Sequence, residues 1–128
     1  MKEVSPQDAY DLMQNDADYT YLDVRSVPEF EDGHPTGATN IPIMNFTPGF
    51  GMTPNQDFVQ LVDEKFPKDA KLLIGCKSGG RSAQACQIME KMGYTNVTNV
   101  RGGFVGATDQ MGRLVEPGWS MLGLPVEK

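Results

Sequence analysis

Apolar and polar positions change their period several times along the chain, and each change predicts an element. Ser5-Pro6-Gln7-Asp8 reads as a helix start, with Ser5 as N-cap, Pro6 in the first turn and Asp8 in a capping-box-like position. Ala9, Leu12, Met13 and Ala17 follow at helical spacing and predict one buried face. Thr20 to Val24 is short, β-branched and aromatic, the composition of a strand. Pro28 to Asp32 predicts a short helix that Gly33 stops, and Thr39 to Ile43 a brief strand that Pro42 confines to an edge or a strand end. Asn45 to Thr53 is rich in Gly, Pro and aromatics without a period, and a loop is expected there. From Pro54 to Phe66 the apolar positions Phe58, Val59, Leu61, Val62 and Phe66 predict a helix.

Lys71-Leu72-Leu73-Ile74-Gly75 is a continuous apolar run between turn residues, the signature of a central strand buried on both faces. Ala83 to Met92 is helical, with Ala85, Cys86, Ile88, Met89 and Met92 inward and Gly93 at its end. Asn96 to Val100 reads as a last short strand, Gly102-Gly103 as the opening of a helix through Phe104 and Val105, and the tail from Gln110 as loop. Strands alternating with helices, without a tight hairpin signal between them, predict an α/β fold: a mainly parallel central sheet with helices on both faces.

Composition narrows the function classes. At 128 residues there is room for one core, so residues 1–128 are read as a single domain. The 17 acidic and 11 basic side chains leave a net charge of −6, poor material for a nucleic-acid or membrane-surface binder. No apolar run reaches the ~20 residues of a membrane span, and Met1 to Pro6 has no signal-peptide apolar region. A cytoplasmic location is therefore expected. Two cysteines do not make a disulfide scaffold, and with His34 as the one histidine no metal site is expected.

The candidate chemistry sits after the strand ending at Gly75. In open α/β sheets the ligand crevice lies beyond the carboxyl ends of the strands, and Cys76-Lys77-Ser78-Gly79-Gly80-Arg81-Ser82 begins there. Small residues and two glycines let the backbone curl until several N–H groups converge, and such a nest opening into a helix N-terminus binds an anion. The same field stabilises a thiolate, so Cys76 is expected to be an accessible nucleophile. Arg81 can fork onto an oxyanion, and Lys77 adds a second positive charge.

These residues resemble the active-site loop of rhodanese-type sulfurtransferases, whose pattern is Cys-x-x-Gly-x-Arg-Ser/Thr. Leu22-Asp23-Val24-Arg25 with Glu29 resembles the family's early strand motif, and Gly33-His34, Gly37-Ala38 and Asn40-Ile41-Pro42 its second motif. Val100-Arg101-Gly102-Gly103-Phe104 and Gly123-Leu124-Pro125-Val126 resemble its C-terminal signature. The departures are Pro35-Thr36, a long stretch from Met44 to Pro54, and an extension from Ala107 to Gly118, all of which bear on substrate access.

The resemblance implies a rhodanese-like fold and transfer of sulfane sulfur from a small anionic donor such as thiosulfate to a thiol or cyanide, the thiol being free or on a protein. Cys76 would be the nucleophile, with no cofactor and no metal. Lys77, Ser78, Gly79, Gly80, Arg81 and Ser82, with Arg25, would bind the donor and the persulfide. A cysteine-dependent phosphatase or arsenate reductase is the rival, but four residues separate Cys76 from Arg81, where the phosphatase-type loop has five. The narrower cradle suits one outer sulfur better than a tetrahedral phosphate. A sulfur-carrier or binding module without turnover is the third reading.

Elsewhere the structural reading is preferred. Cys86 is expected in the core and not as a resolving thiol. Asp23 is expected in a structural ion pair with Arg25, and His34 in a structural hydrogen bond. Arg101 either faces the crevice or is solvated. Phe46, Phe50, Met52 and Trp119 are expected to cover the core rather than dock a partner.

Overall fold

The computed structural model describes residues 1–128. In chain order the elements are β1 (Lys2–Val4), α1 (Pro6–Asn15), β2 (Tyr19–Asp23), α2 (Val27–Glu31), β3 (His34–Pro35) and β4 (Thr39–Asn40). Then come β5 (Met44–Thr47), β6 (Gly51–Pro54), α3 (Phe58–Lys65), β7 (Lys71–Gly75), α4 (Gly80–Lys91) and β8 (Val97–Val100). The chain closes with β9 (Gly106–Thr108), β10 (Leu114–Pro117) and β11 (Val126–Glu127).

Five strands form one sheet in the order β1-β8-β7-β2-β4, every pair parallel. The apolar run Lys71–Gly75 is its middle strand, paired on both sides, which is why its residues need no polar face. Successive side chains point to opposite faces. Leu22, Leu72 and Ile74 join Phe58, Val62, Ala85 and Met89 in one core under α3 and α4. Tyr21, Leu73 and Val100 join Ala9 and Trp119 in the other, under α1 and the C-terminal segment. Helices on both faces of a parallel sheet are thus what the chain builds.

The Ser5 hydroxyl accepts from the Asp8 amide at 3.1 Å, so α1 starts where its cap predicts. It ends at Asn15, and Ala17 lies exposed beyond it. In α3 only Phe58 and Val62 are buried, while Val59 and Leu61 are exposed.

Four expectations fail for identifiable reasons. The expected loop from Asn45 to Thr53 is a hairpin, β5 antiparallel to β6 with Phe46 opposite Met52. It buries almost nothing, so its sequence shows no alternation of apolar and polar positions. Phe46, Phe50 and Met52 are exposed on it and do not cover the core, whereas Trp119 is buried. The expected helix after Gly102 is a turn, because Gly102 and Gly103 adopt φ of +76° and +54°. The amides of Phe104 and Val105 are spent on the carbonyls of Cys76 and Lys77, at 2.8 and 2.9 Å. The tail is not loop throughout: β9 and β10 form a second hairpin, and β11 pairs with β3. β1, only three residues long and polar at its first two, carried no strand pattern, yet it occupies a sheet edge against β8.

Candidate active site

β7 delivers Cys76 to the carboxyl edge of the sheet with the parity of Leu72 and Ile74. Its side chain therefore enters the α3/α4 core, and the residue is 2% exposed. This corrects the expectation of an accessible thiol; in the loop that follows, Lys77 and Ser78 are exposed.

The loop closes over the sulfur at Gly79. With φ at +114°, Gly79 takes a backbone turn that L side chains disfavour, and its amide donates to Cys76 Sγ at 3.1 Å. The N–H groups of Ser78, Gly80, Arg81 and Ser82 have no acceptor within the chain, so four donors remain free where α4 begins. On the other side the Gly102-Gly103 turn packs against the loop so closely that a Cβ on Gly103 would collide with the Cys76 carbonyl. Gly75 makes similar room for the ring of Tyr21, whose hydroxyl occupies the place a Cβ would take.

Arg81 does not present a free fork to an oxyanion. Its guanidinium donates to both oxygens of Glu29, at 2.8 and 3.0 Å, and ties the start of α4 to α2. The Arg81 hydrogen bond holds the Glu29 carboxyl down to about 2, and Glu29 holds the guanidinium above its ordinary value. Glu29 also accepts from the Ser26 hydroxyl and amide, at 2.8 and 3.2 Å, which completes the cap of α2.

Arg25 is buried. It forks onto Asp23 (Nη2 to Oδ2 2.7 Å), donates to the Gly33 carbonyl at 2.7 Å, and lies 4.4 Å over the ring of Phe104. The expected Asp23–Arg25 ion pair is therefore present, and it holds the arginine at the wall of a cleft. That cleft has a volume of about 240 Å³ and is lined by Arg25, Glu29, Asp32, Gly33, Lys77, Phe104 and Val105. It brings Arg25 and Lys77 together with two carboxylates, beside the loop that covers Cys76.

Ser82 is buried beneath the loop. Its Oγ lies 3.3 Å from Cys76 Sγ, 2.6 Å from Asn99 Oδ1 and 3.2 Å from the Gly79 carbonyl. Asn99, from β8, in turn donates to Glu3 Oε2 at 3.0 Å. The sequence reading passed over Glu29 as the partner of Arg81, Phe104 as the platform under Arg25, and Asn99. Glu29 and Phe104 stood within motifs that did not name their partners, whereas Asn99 lay unmarked as an amide inside the strand Val97–Val100, whose every residue is buried.

Cys86 lies in the core as expected, and burial pushes its thiol up to about 12. His34 makes the expected structural contact: Nδ1 lies 2.8 Å from the Phe30 carbonyl and the ring stacks on Phe30. Arg101 is exposed and donates to Glu116 at 2.9 Å, outside the cleft. No helix is long and apolar enough to cross a membrane.

The crystal structure of Rv0390 from M. tuberculosis superposes with a TM-score of 0.81 at 25% identity, over 99% of this chain and 97% of that one. Thiosulfate sulfurtransferase 16, chloroplastic, from Arabidopsis thaliana is 41% identical over 101 residues, 79% of this chain and 82% of the relative. Protein HIGH ARSENIC CONTENT 1, mitochondrial, from the same plant is 38% identical over 91 residues, 71% of this chain and 53% of the relative. The chain spans about half the length of several of the curated relatives it matches. The two Arabidopsis relatives are named chloroplastic and mitochondrial, so their names lend no support to a cytoplasmic location. The family model described as Rhodanese-like domain matches residues 5–110, and with the sheet order and the cysteine loop in place the chain belongs to the rhodanese-like domain family.

Proposed function

We propose that the chain is a sulfurtransferase that carries sulfane sulfur as a persulfide on Cys76. The observation that carries this reading is the cradle itself: Cys76 Sγ bonded by the Gly79 amide, with four unpartnered N–H groups at the start of α4. That cradle suits negative charge on one sulfur, and relatives bearing the name thiosulfate sulfurtransferase support the donor class.

In the first step the Cys76 thiolate attacks the outer sulfur of thiosulfate. The S–S bond of the donor breaks, its electron pair leaves on sulfite, and a persulfide anion remains on Cys76. In the second step an acceptor thiolate or cyanide attacks that outer sulfur, and the bonding pair returns to Cys76. The free loop amides stabilise the outer sulfur between the steps. Arg25 and Lys77 attract the anionic donor into the cleft against the overall negative charge. Arg81, held by Glu29, keeps the loop in shape.

Intact-mass spectrometry after incubation with thiosulfate is expected to show one added sulfur atom, localised to the Cys76 peptide. It should be lost completely in Cys76→Ser and much reduced in Arg81→Ala. An arsenate- or phosphate-directed loop is the second reading, prompted by the relative named for high arsenic content. Hydrolysis of a phenyl phosphate ester without persulfide formation would establish it in place of sulfur transfer.

A further inference from the structure

Ser82 has one hydroxyl proton and three neighbours that can accept it: Cys76 Sγ, the Gly79 carbonyl and Asn99 Oδ1. Asn99 decides among them. Its Nδ2 faces Glu3 Oε2 at 3.0 Å and the Gly79 carbonyl at 3.4 Å, two groups that can only accept. The amide is therefore pinned with Oδ1 toward Ser82. At 2.6 Å two lone pairs would repel, so the Ser82 proton lies on that line. What Ser82 turns toward Cys76 Sγ is a lone pair.

We infer that Asn99 is a positioning residue that makes Ser82 an acceptor toward Cys76 Sγ. An acceptor there favours a proton on Sγ over negative charge. The inference rests in one respect on the sulfurtransferase reading. When thiosulfate loads the cysteine, the thiolate charge passes from Sγ to the outer sulfur and sulfite leaves. The lone pair of Ser82 opposes charge on Sγ and not on the outer sulfur, so Asn99 favours the loaded state over the unloaded thiolate. Through Glu3 the first strand of the chain takes part in this setting, although Glu3 itself is exposed.

Other ionisable groups surround the sulfur. Tyr21 and the Asp23–Arg25 pair come from β2 and its end, Arg81 and Cys86 from α4, and Lys77 from the loop. Burial raises the hydroxyl of Tyr21 and the thiol of Cys86, so both stay protonated, while Arg25 and Arg81 are held by carboxylates. All are unchanged in the variants below.

The test is the pH profile of iodoacetamide labelling at Cys76, read on its peptide by mass spectrometry. Asn99→Ala frees the Ser82 proton for the sulfur. Its profile is expected to shift to lower pH by about one unit, roughly tenfold faster labelling below the midpoint. In a Ser82→Ala background the same substitution is expected to shift nothing, which separates this role from a loosened core. A profile that stays or moves up in Asn99→Ala, or an equal downward shift without Ser82, overturns the inference. Should Asn99→Ala fail to fold, Ser82→Ala decides alone: its profile is expected to stay or move down, and an upward shift would show that Ser82 had been donating. At a pH above both labelling midpoints, where the unloaded cysteine is a thiolate, the ratio of persulfide to unloaded cysteine at a fixed thiosulfate-to-sulfite ratio is expected to fall about tenfold in Asn99→Ala, and an unchanged ratio overturns the loaded-state half. If the wild type forms no persulfide, sulfur transfer fails while the labelling profiles still decide the hydrogen bond.

Discussion

Glu29 and Arg81 show how one contact can serve two elements. The pair is bidentate and partly buried, and it joins the short helix α2 to the first turn of the helix that follows the cysteine loop. The folded carboxyl sits at about 2, below its ordinary 4.5, so the native state binds this proton less readily than the unfolded chain does. The pair therefore stabilises fully above pH 4.5, and that contribution drains away as the pH falls from 4.5 toward 2. Glu29→Gln is expected to cost about 1 kcal/mol at neutral pH, with the gap to wild type closing across that acid window. Urea unfolding at several pH values would show it, and a gap independent of pH would count against the pair. The sequence displayed Glu29 as part of a motif but not its partner 52 residues away, because only the fold brings α2 beside α4.

At the scale of elements, local signals worked where the element is made by its own residues. Ser5 and Pro6 begin α1 because the cap is satisfied within four residues, and the β7 run is a strand because it is buried on both sides. Replacing Ser5 by Ala removes the hydroxyl that accepts from the Asp8 amide and is expected to cost about 1 kcal/mol. Denaturant unfolding measures this directly, and a loss below a few tenths would mean that tertiary packing alone starts the helix. Local signals failed for the Gly102–Val105 turn, whose amides are claimed by the carbonyls of Cys76 and Lys77. They failed as well for β5 and β6, which pair with each other while projecting from the core.

Across the whole molecule, Trp119 joins the C-terminal segment to the sheet and to the site. It is buried against Tyr10 and Tyr21 in edge-on contacts, with centroids 5.9 and 5.5 Å away, and its Nε1 donates to the Pro125 carbonyl at 2.7 Å. Its backbone amide donates to the Gly103 carbonyl at 2.8 Å, within the turn that braces the cysteine loop. Trp119→Ala is expected to cost about 3–5 kcal/mol and to slow persulfide formation as the turn loses its backing. Stability from urea curves and loading followed by mass spectrometry test the two halves, and full-rate loading in a folded variant would separate the segment from the site.

The sequence by itself determined the alternating elements, the parallel sheet and the position of the cysteine loop, because each depends on periodicity, caps and glycine placement within a few residues. Only the tertiary structure decided how the loop is used. It buried Cys76, since strand parity turns its side chain into the core, and it spent the Arg81 fork on Glu29. It also set Ser82 between the sulfur and Asn99, a buried amide from β8, which follows α4 along the chain and lies beside β7 in the sheet. Those contacts join residues far apart in the chain, and no local pattern encodes which distant partner satisfies a buried polar group.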